Sequence, residues 1–321
     1  GFIDTTGKVV LLDEEQTDLF GNGYSDDLRP TIGHKGIRFV DKSNKEALEV
    51  PYFDADEFKE GLVTVHDYGK AGMVDKTGQI VIPIQYKDVG PFSNGQAIAS
   101  TEEGEGVIDR TGKVVIPLTH EWVSYLRHMD VYLAGKKGKM AMFDKTGINL
   151  TQYIYTSGRF AQFYYALLQI EEGPLPVQLR DKWGYIDRNG NEVIPFQFDD
   201  ADPFEDGYAE VNYGQAIIDK TGRMVLKADA GTRISRMGKL FLYQSTGVAE
   251  TEKFLHDRVG WYKIESFRDA SGRIVHGQKD YNLYRRAITE SWLLAEKNGK
   301  YGVANNLGEL TIPVRFDSID S

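Results

Sequence analysis

Histidine and aspartate are the residue types in this sequence that could bind a metal ion or transfer a proton. The histidines are scattered, and no two of them show the four-residue spacing of a helical zinc motif. They are His34, His66, His120, His128, His256 and His276. Even His120 and His128, in a stretch rich in aromatic residues, lie eight residues apart. We therefore expect surface or packing roles for the histidines, and the sequence predicts no metal site.

Two clusters of aspartates could bind calcium through their carboxylate oxygens. They are Asp54-Ala55-Asp56 and Asp199-Asp200-Ala201-Asp202. The full oxygen spacing of a calcium loop is missing, so we expect these aspartates to cap turns in a solvated loop. Cysteine is absent, which excludes disulfides and a cysteine nucleophile. No phosphate-binding loop, dinucleotide-binding loop or Gly-x-Ser-x-Gly motif is present, so we predict no cofactor, no catalytic residue and no enzyme.

One further aspartate pattern recurs along the chain and reveals an internal repeat. The pattern is Asp-x-x-Gly, preceded by apolar residues and followed by a β-branched run, and it has seven complete copies. In two further copies, Asn44 replaces the glycine or Asn305 replaces the aspartate. The copies end at Gly7, Asn44, Gly78, Gly112, Gly147, Gly190, Gly222, Gly272 and Gly308. So many equivalent carboxylates argue against catalysis, which needs carboxylates in unique environments. The spacing predicts nine repeats of about 35 residues.

The copy around Asp187 indicates how each repeat folds. Residues 183–186 are predicted to form a strand, and the Asp187 carboxylate can accept hydrogen bonds from the backbone N–H groups that follow it. Gly190 then supplies the left-handed conformation that closes a type I turn with a bulge. The returning strand is expected to end at Pro195, because proline cannot donate a hydrogen bond to the ladder.

A second signature follows each proline. Two aromatic residues lie six positions apart, as Tyr52 and Phe58 do, and a glycine then precedes an apolar stretch such as residues 62–65. The aromatic pair suits an irregular crossing segment, and the apolar stretch suits a third strand. The sequence therefore predicts an all-β protein. The predicted architecture is a tandem array of about nine three-stranded repeats that form a single domain over residues 1–321.

The copy from Lys182 to Val211 resembles the WG-repeat family, also called KWG repeats. Its segment Lys182-Trp183-Gly184-Tyr185-Ile186-Asp187 and its Ile194-Pro195 pair follow the family pattern. Other copies replace the Trp-Gly pair, for example by Ala71-Gly72 or Met140-Ala141. The resemblance implies a repeat array in a bacterial, exported protein, and hence an extracytoplasmic location: periplasmic, cell-surface or secreted. It implies no particular activity.

Composition excludes several classes of protein. Lys plus Arg number 38 against 48 Asp plus Glu, so the net charge is −10, and with no basic block we expect no nucleic-acid partner. The apolar runs are short, so we expect no membrane span. A three-stranded repeat cannot bury both faces alone and must stack on its neighbours. We expect an open curved array rather than a propeller-like ring, because no strand remains at the C-terminus to complete the first repeat.

Two stretches depart from the regular spacing, at about residues 153–176 and 229–262. Insertions in repeat arrays lie in loops, often on one functional face. Regular repeats use their apolar residues for packing, whereas these stretches carry concentrated aromatic residues that suit a binding surface. The residues predicted to bind a partner are Phe163, Tyr164, Tyr165, Trp261 and Tyr262.

Together these observations favour a non-enzymatic binding or scaffold protein that recognises a protein or a glycan. The charge suggests a neutral or basic partner. Two other hypotheses stay open at this point. One is a carbohydrate-active hydrolase whose carboxylates come from different repeats, and the other is a structural spacer within a longer surface protein.

Overall fold

A computed structural model describes residues 2–3, 9–11, 24–156, 170–237, 240–245, 261–276, 281–286, 292–305 and 307–317. These residues form β-strands joined by turns and bends, which confirms the all-β prediction. In this part of the chain there is no helix long and apolar enough to cross a membrane. The chain divides into two compact units, residues 1–167 and residues 168–321. The single domain and the open array stay predictions.

The first unit consists of antiparallel strands that pair mainly with their neighbours in sequence. They are β1 (Phe2–Ile3), β2 (Val9–Leu11), β3 (Arg29–Ile32), β4 (Ile37–Val40), β5 (Glu46–Val50), β6 (Asp54–Ala55), β7 (Leu62–Asp67), β8 (Lys70–Asp75), β9 (Ile80–Tyr86), β10 (Asp88–Val89), β11 (Gln96–Thr101), β12 (Gly104–Asp109), β13 (Val114–His120), β14 (Trp122–Leu126), β15 (Val131–Lys136), β16 (Lys139–Phe143) and β17 (Tyr155–Thr156). The sheets β6–β9 and β10–β13 are the most regular repeats. In both, the crossing segment adds a two-residue edge strand to the three predicted strands.

The second unit continues the same antiparallel pairing. Its strands are β18 (Leu175–Leu179), β19 (Lys182–Ile186), β20 (Glu192–Phe198), β21 (Tyr208–Val211), β22 (Ala216–Asp219), β23 (Met224–Lys227), β24 (Thr232–Met237), β25 (Leu240–Ser245), β26 (Trp261–Arg268), β27 (Ile274–His276), β28 (Asn282–Arg286), β29 (Trp292–Lys297), β30 (Lys300–Asn305) and β31 (Leu310–Phe316). Strands β24 to β31 form one sheet, in which β27 pairs with β26 beside the main path.

The eight described turns of the Asp-x-x-Gly pattern have the geometry that the sequence predicts. In one of them, the N–H of Gly112 donates to the Asp109 carbonyl at 2.9 Å, and φ of Gly112 is +80°. Oδ1 of Asp109 accepts from the Thr111 hydroxyl at 2.6 Å and from the backbone N–H groups of Thr111 and Lys113 at 2.8 and 3.1 Å. These bonds, the hydroxyl bond first, lower the pKa of Asp109 because they favour the ionised carboxylate.

Four returning strands, β9, β13, β20 and β31, run through their proline, so the prediction that they end there is wrong for these four, whereas β5 does end at Val50, before Pro51. Strand β9 includes Pro83 and continues for three more residues. The pairing of β8 with β9 skips at this point, so that residues 83–85 lie opposite Gly72 alone. Such a bulge takes residues out of the regular ladder, and the strand therefore tolerates a residue without an N–H.

The bulge explains the glycine of the Trp-Gly pair. A Cβ atom on Gly72 would lie 2.7 Å from the Ile82 carbonyl oxygen, closer than real Cβ atoms approach. Gly106, Gly184 and Gly302 lie under the same kind of bulge, with corresponding distances of 2.4, 2.8 and 2.6 Å. Ala216 occupies this position in a repeat without proline, and its partner strand β23 has no bulge opposite it. Glycine is therefore required where the opposite strand bulges at proline.

Successive sheets share hydrophobic cores. Met73 and Ile82 of one repeat are buried together with Ala97 and Ile108 of the next. A second cluster joins the repeat of β12 and β13 to that of β15 and β16 in the same way. Full burial of a Met or Ile side chain stabilises the fold by about 1.5–3 kcal/mol. Neighbouring repeats therefore stabilise each other, as expected for sheets that cannot bury both faces alone.

An acidic side chain of one repeat also binds the backbone of the next. The Glu60 carboxylate accepts a hydrogen bond from the Gly95 N–H at 3.2 Å and pairs with Arg110 at 3.2 Å. We call this contact the inter-repeat clamp. It occurs three times in the described residues, each time with the glycine 35 residues after the acid: Asp26 with Gly61 and Lys76, Glu60 with Gly95 and Arg110, and Glu172 with Gly207 and Lys220.

Candidate functional site

Two cavities lie at equivalent positions of consecutive repeats in the first unit. Each has a volume of about 550 Å³. Cavity 1 is lined by Pro30, Asp54, Ala55, Asp56, Glu57, Lys59, Leu62, Thr64, Met73 and Pro91. Cavity 2 is lined by Asp88, Gly90, Pro91, Ile98, Ala99, Ser100, Glu105, Trp122 and Val123. Because Pro91 lines both, the two cavities are adjacent.

The repeat spacing places the same elements around both cavities. Asp54 and Asp88 begin the edge strands β6 and β10, 34 residues apart. Each carboxylate accepts a hydrogen bond from the N–H of the next residue at 2.9 Å, which fixes it at the cavity wall. Thr64 and Ile98 lie at equivalent positions of β7 and β11, the strands that pair with these edge strands. The crossing segments therefore form the walls of a repeated site.

Cavity 1 is acidic, with carboxylates on Asp54, Asp56 and Glu57. The walls of the cavity partly exclude water from Asp56, and this raises the pKa of Asp56 because it disfavours the charged form. His66 acts in the opposite direction, whereas the negative charges of Asp88 and Asp54 raise the pKa further.

Cavity 2 combines two carboxylates with an apolar wall. The Glu105 carboxylate accepts a hydrogen bond from the Val123 N–H at 2.8 Å, which ties β12 to β14. The indole Nε1 of Trp122 is buried and has no hydrogen-bond partner in the described part of the chain. It packs over Gly135, where a Cβ atom would lie 2.1 Å from this nitrogen. The Trp122 ring is therefore held against β15 and forms one side of the cavity.

Three of the five residues predicted to bind a partner, Phe163, Tyr164 and Tyr165, lie outside the described residues. Trp261 and Tyr262 begin β26 and pair in register with Arg286 and Arg285 of β28. The second insertion was expected to be a loop, but part of it forms β24 and β25, which pair along six residues each. The role of these five residues in binding stays a prediction.

His120, one of the two histidines of the aromatic stretch, is a packing residue. Nδ1 of His120 lies 2.8 Å from the Pro117 carbonyl oxygen, and Nε2 lies 2.5 Å from the Tyr153 hydroxyl. The ring is buried and stacks on Tyr153, with ring centroids 5.9 Å apart. Within the residues that the structure describes, no group of three His, Asp or Glu side chains is placed to hold a metal ion.

Sequence reasoning missed the cavity. It assigned the Asp54 cluster to turn capping in a solvated loop, whereas Asp54 begins the edge strand β6 and Asp56 lies in the cavity wall. Thr64 and Trp122 follow no chemical motif. A usable signal lies in comparing repeats position by position, since Gly90 replaces Asp56 at the equivalent position and so leaves cavity 2 without a side chain there.

Comparison with known protein families finds a match for the repeat. Residues 72–103 and 183–215 match the family described as WG containing repeat. Two segments of the chain match WG repeats. The resemblance inferred from the sequence is thereby confirmed, and both matched segments include a glycine that lies under a proline bulge, Gly72 or Gly184. A search of curated protein sequences finds no match.

Solved structures similar to the chain resemble it only distantly. A eukaryotic initiation factor shares 10% identity over 91% of this chain and 96% of its own, with a TM-score of 0.32. PorZ, a surface component of the type-IX secretion system of Porphyromonas gingivalis, shares 10% identity over 92% of this chain and 52% of its own, with a TM-score of 0.27. The AfRom2 CNH domain shares 10% identity over 70% and 83%, with a TM-score of 0.32. Likenesses of this size carry no inference about function.

Proposed function

We propose that this chain is a non-enzymatic binding protein that holds a segment of a partner protein across two consecutive WG repeats. The observation that supports this function is the pair of adjacent cavities, which meet at Pro91 and are both walled by an edge strand and the crossing segment that follows it. Ligand sites in proteins have volumes of about 300–1,000 Å³, and each of these cavities lies in that range. Two such cavities side by side suit an extended ligand better than a compact one.

The charge of the site favours a basic protein segment over a neutral glycan. Cavity 1 has three carboxylates and one lysine in its lining, and cavity 2 has two carboxylates and no basic residue. The whole chain has a net charge of −10, which attracts positively charged partners over long range. A glycan partner remains an outcome that the experiment tests.

Gly90 allows a direct test of cavity 2. A Cβ atom on Gly90 would lie 3.5 Å from the Ile98 carbonyl oxygen, an ordinary contact, and Asp56 carries a side chain at the equivalent position. Gly90→Leu should therefore fill the cavity while the melting temperature stays unchanged. We expect it to weaken binding of a partner selected from peptide and glycan arrays by about tenfold. Gly90→Ala is the matched control, because one methyl group leaves most of the cavity open.

The inserted segments offer the competing location for a partner. Alanine substitutions of Phe163, Tyr164, Tyr165, Trp261 and Tyr262 test it with the same ligand. If these variants lose affinity while Gly90→Leu keeps it, the partner binds at the insertions and the cavity proposal fails. If neither array yields a ligand, the result favours a structural spacer over a binding protein.

A carbohydrate-active hydrolase is the second candidate, because Asp56 and Asp88 come from consecutive repeats and their charges interact. Partial burial first, and then the Asp88 charge, raise the pKa of Asp56, and a raised pKa is a property expected of a general acid. Hydrolysis of a panel of chromogenic glycosides tests this candidate. Turnover that disappears in both Asp56→Asn and Asp88→Asn would replace the non-enzymatic function, and its absence across the panel would remove the hydrolase.

A further inference from the structure

Two aromatic side chains lie exposed together at one end of the sheet β6–β9. Phe53 is 74% exposed and Tyr68 is 88% exposed. Their rings meet edge to face, with centroids 5.5 Å apart and an interplanar angle of 86°. The register explains the contact: Asp54 pairs with His66, so Phe53 lies beside the turn that carries Tyr68. We call this pair the aromatic corner.

Tyr68 also has a backbone conformation that tyrosine disfavours. It is the first residue of the two-residue turn between β7 and β8, with φ of +44°, and Gly69 follows with φ of +76°. Asn298, at the equivalent place between β29 and β30, has φ of +54° and is a residue type preferred in such turns. A tyrosine in this conformation is strained, and because it is 88% exposed it buries little apolar surface in return. Departures of this kind concentrate at functional sites.

An aspartate is the sequence neighbour of each aromatic residue of the corner. Asp54 follows Phe53 in sequence, and Asp67 precedes Tyr68. The one lysine of this turn, Lys70, is already paired with Glu102 at 3.5 Å. The faces of aromatic rings attract cations through their quadrupole. Two rings at nearly a right angle, with carboxylates close by in sequence, therefore suit a positively charged group.

We propose that Phe53 and Tyr68 bind the ammonium or guanidinium group of a Lys or Arg side chain in a partner protein. This inference rests on the proposed function and deepens it by naming the group that is recognised. Asp54, the neighbour of Phe53, also lines cavity 1, so the aromatic corner lies at the edge of the proposed binding surface. A basic segment bound in the cavities thus has a cation site beside it.

The test measures the affinity of the whole chain for labelled hexalysine and hexaarginine by fluorescence anisotropy. Phe53→Ala and Tyr68→Asn should each weaken binding about fivefold, the loss expected for a cation–aromatic contact. Tyr68→Asn should keep or raise the melting temperature, because asparagine suits the left-handed conformation. Tyr213→Asn is the matched control: Tyr213 is 69% exposed with φ of +59° and precedes a glycine, but Asp199 occupies the position of Phe53 in its repeat.

The outcomes separate this inference from the proposed function. Weakening in Phe53→Ala and Tyr68→Asn with unchanged affinity in Tyr213→Asn supports the aromatic corner, even if Gly90→Leu has no effect on its array-selected partner. If Phe53→Ala and Tyr68→Asn bind as tightly as the unmodified chain, if all three variants lose affinity equally, or if neither peptide binds saturably, the inference is overturned. The Gly90→Leu test of the cavities stays decisive in each case. Binding of neutral cellohexaose that depends on Tyr68 in the same way would make the corner a sugar platform and would also overturn it.

Discussion

The repeats around Asp109 and Asp219 share their turn but differ in the strand that follows. In the first, β13 passes through Pro117 and bulges over Gly106. In the second, β23 has no proline and runs opposite Ala216 without a bulge. Strand β13 has seven residues and β23 has four. The difference shows that proline and glycine act as a pair, since the bulge accommodates the proline and leaves no room for a Cβ atom beneath it.

The largest expected effect breaks this pair. A Cβ atom at Gly106 would lie 2.4 Å from the Ile116 oxygen and 2.6 Å from the Pro117 oxygen, so Gly106→Ala forces the bulge to move. We expect a loss of about 2–3 kcal/mol in the free energy of unfolding, as for overpacked cores. Ala216→Gly, in the repeat without a bulge, should cost about 1–2 kcal/mol, through backbone entropy and the loss of one buried methyl group. Urea denaturation of both variants measures the difference, and equal losses would mean that the bulge does not require glycine.

The next effect concerns the turn, which both kinds of repeat share. Gly112→Val places a β-branched residue at φ of +80° and should cost about 1–2 kcal/mol. Asn44→Gly is the matched change at a turn that already tolerates a side chain, with φ of +61°, and should be neutral or mildly stabilising. Thermal melts monitored by circular dichroism test both, and an unchanged melting temperature for Gly112→Val would contradict the assigned turn.

The smallest effect is a dependence on pH. The pKa values of Asp109 and Asp219 are lowered in the folded chain, mainly by hydrogen bonds from the Thr111 and Thr221 hydroxyls. A lowered pKa stabilises the fold above the unfolded pKa, and this stability is lost as the pH falls through the folded pKa. Asp109→Asn and Asp219→Asn should therefore lower the melting temperature at neutral pH and do so less at about pH 3.

For Asp56, the same experiment should show a pH dependence of the opposite sign. Its pKa is raised in the folded chain, so its ionisation opposes folding at neutral pH. Asp56→Asn should raise the melting temperature at neutral pH and have little effect at about pH 3, where the carboxyl is protonated in both states. A lower melting temperature for this variant at neutral pH would mean that the Asp56 carboxylate stabilises the fold.

Local features of the fold could be predicted from the sequence, whereas features that join repeats could not. The turn at Gly190 follows from the residue types within a few positions, because aspartate and glycine specify the bend themselves. The bulge over Gly184 depends on a strand ten residues away, and proline alone suggested an end to that strand. The cavities need residues such as Asp56 and Pro91, which come from different repeats. Asp56 and Pro91 come together because two sheets stack on each other, and no pattern within one repeat predicts this stacking.

The inter-repeat clamp has a consequence for how such a chain changes in length. The acid and the glycine that it binds lie 35 residues apart in all three clamps. A duplication or deletion of one whole repeat in the gene would keep each acid at the same spacing from a glycine N–H. An insertion or deletion of another length would place the carboxylate opposite a different part of the backbone. The array can therefore gain or lose whole repeats by recombination without a new interface having to evolve.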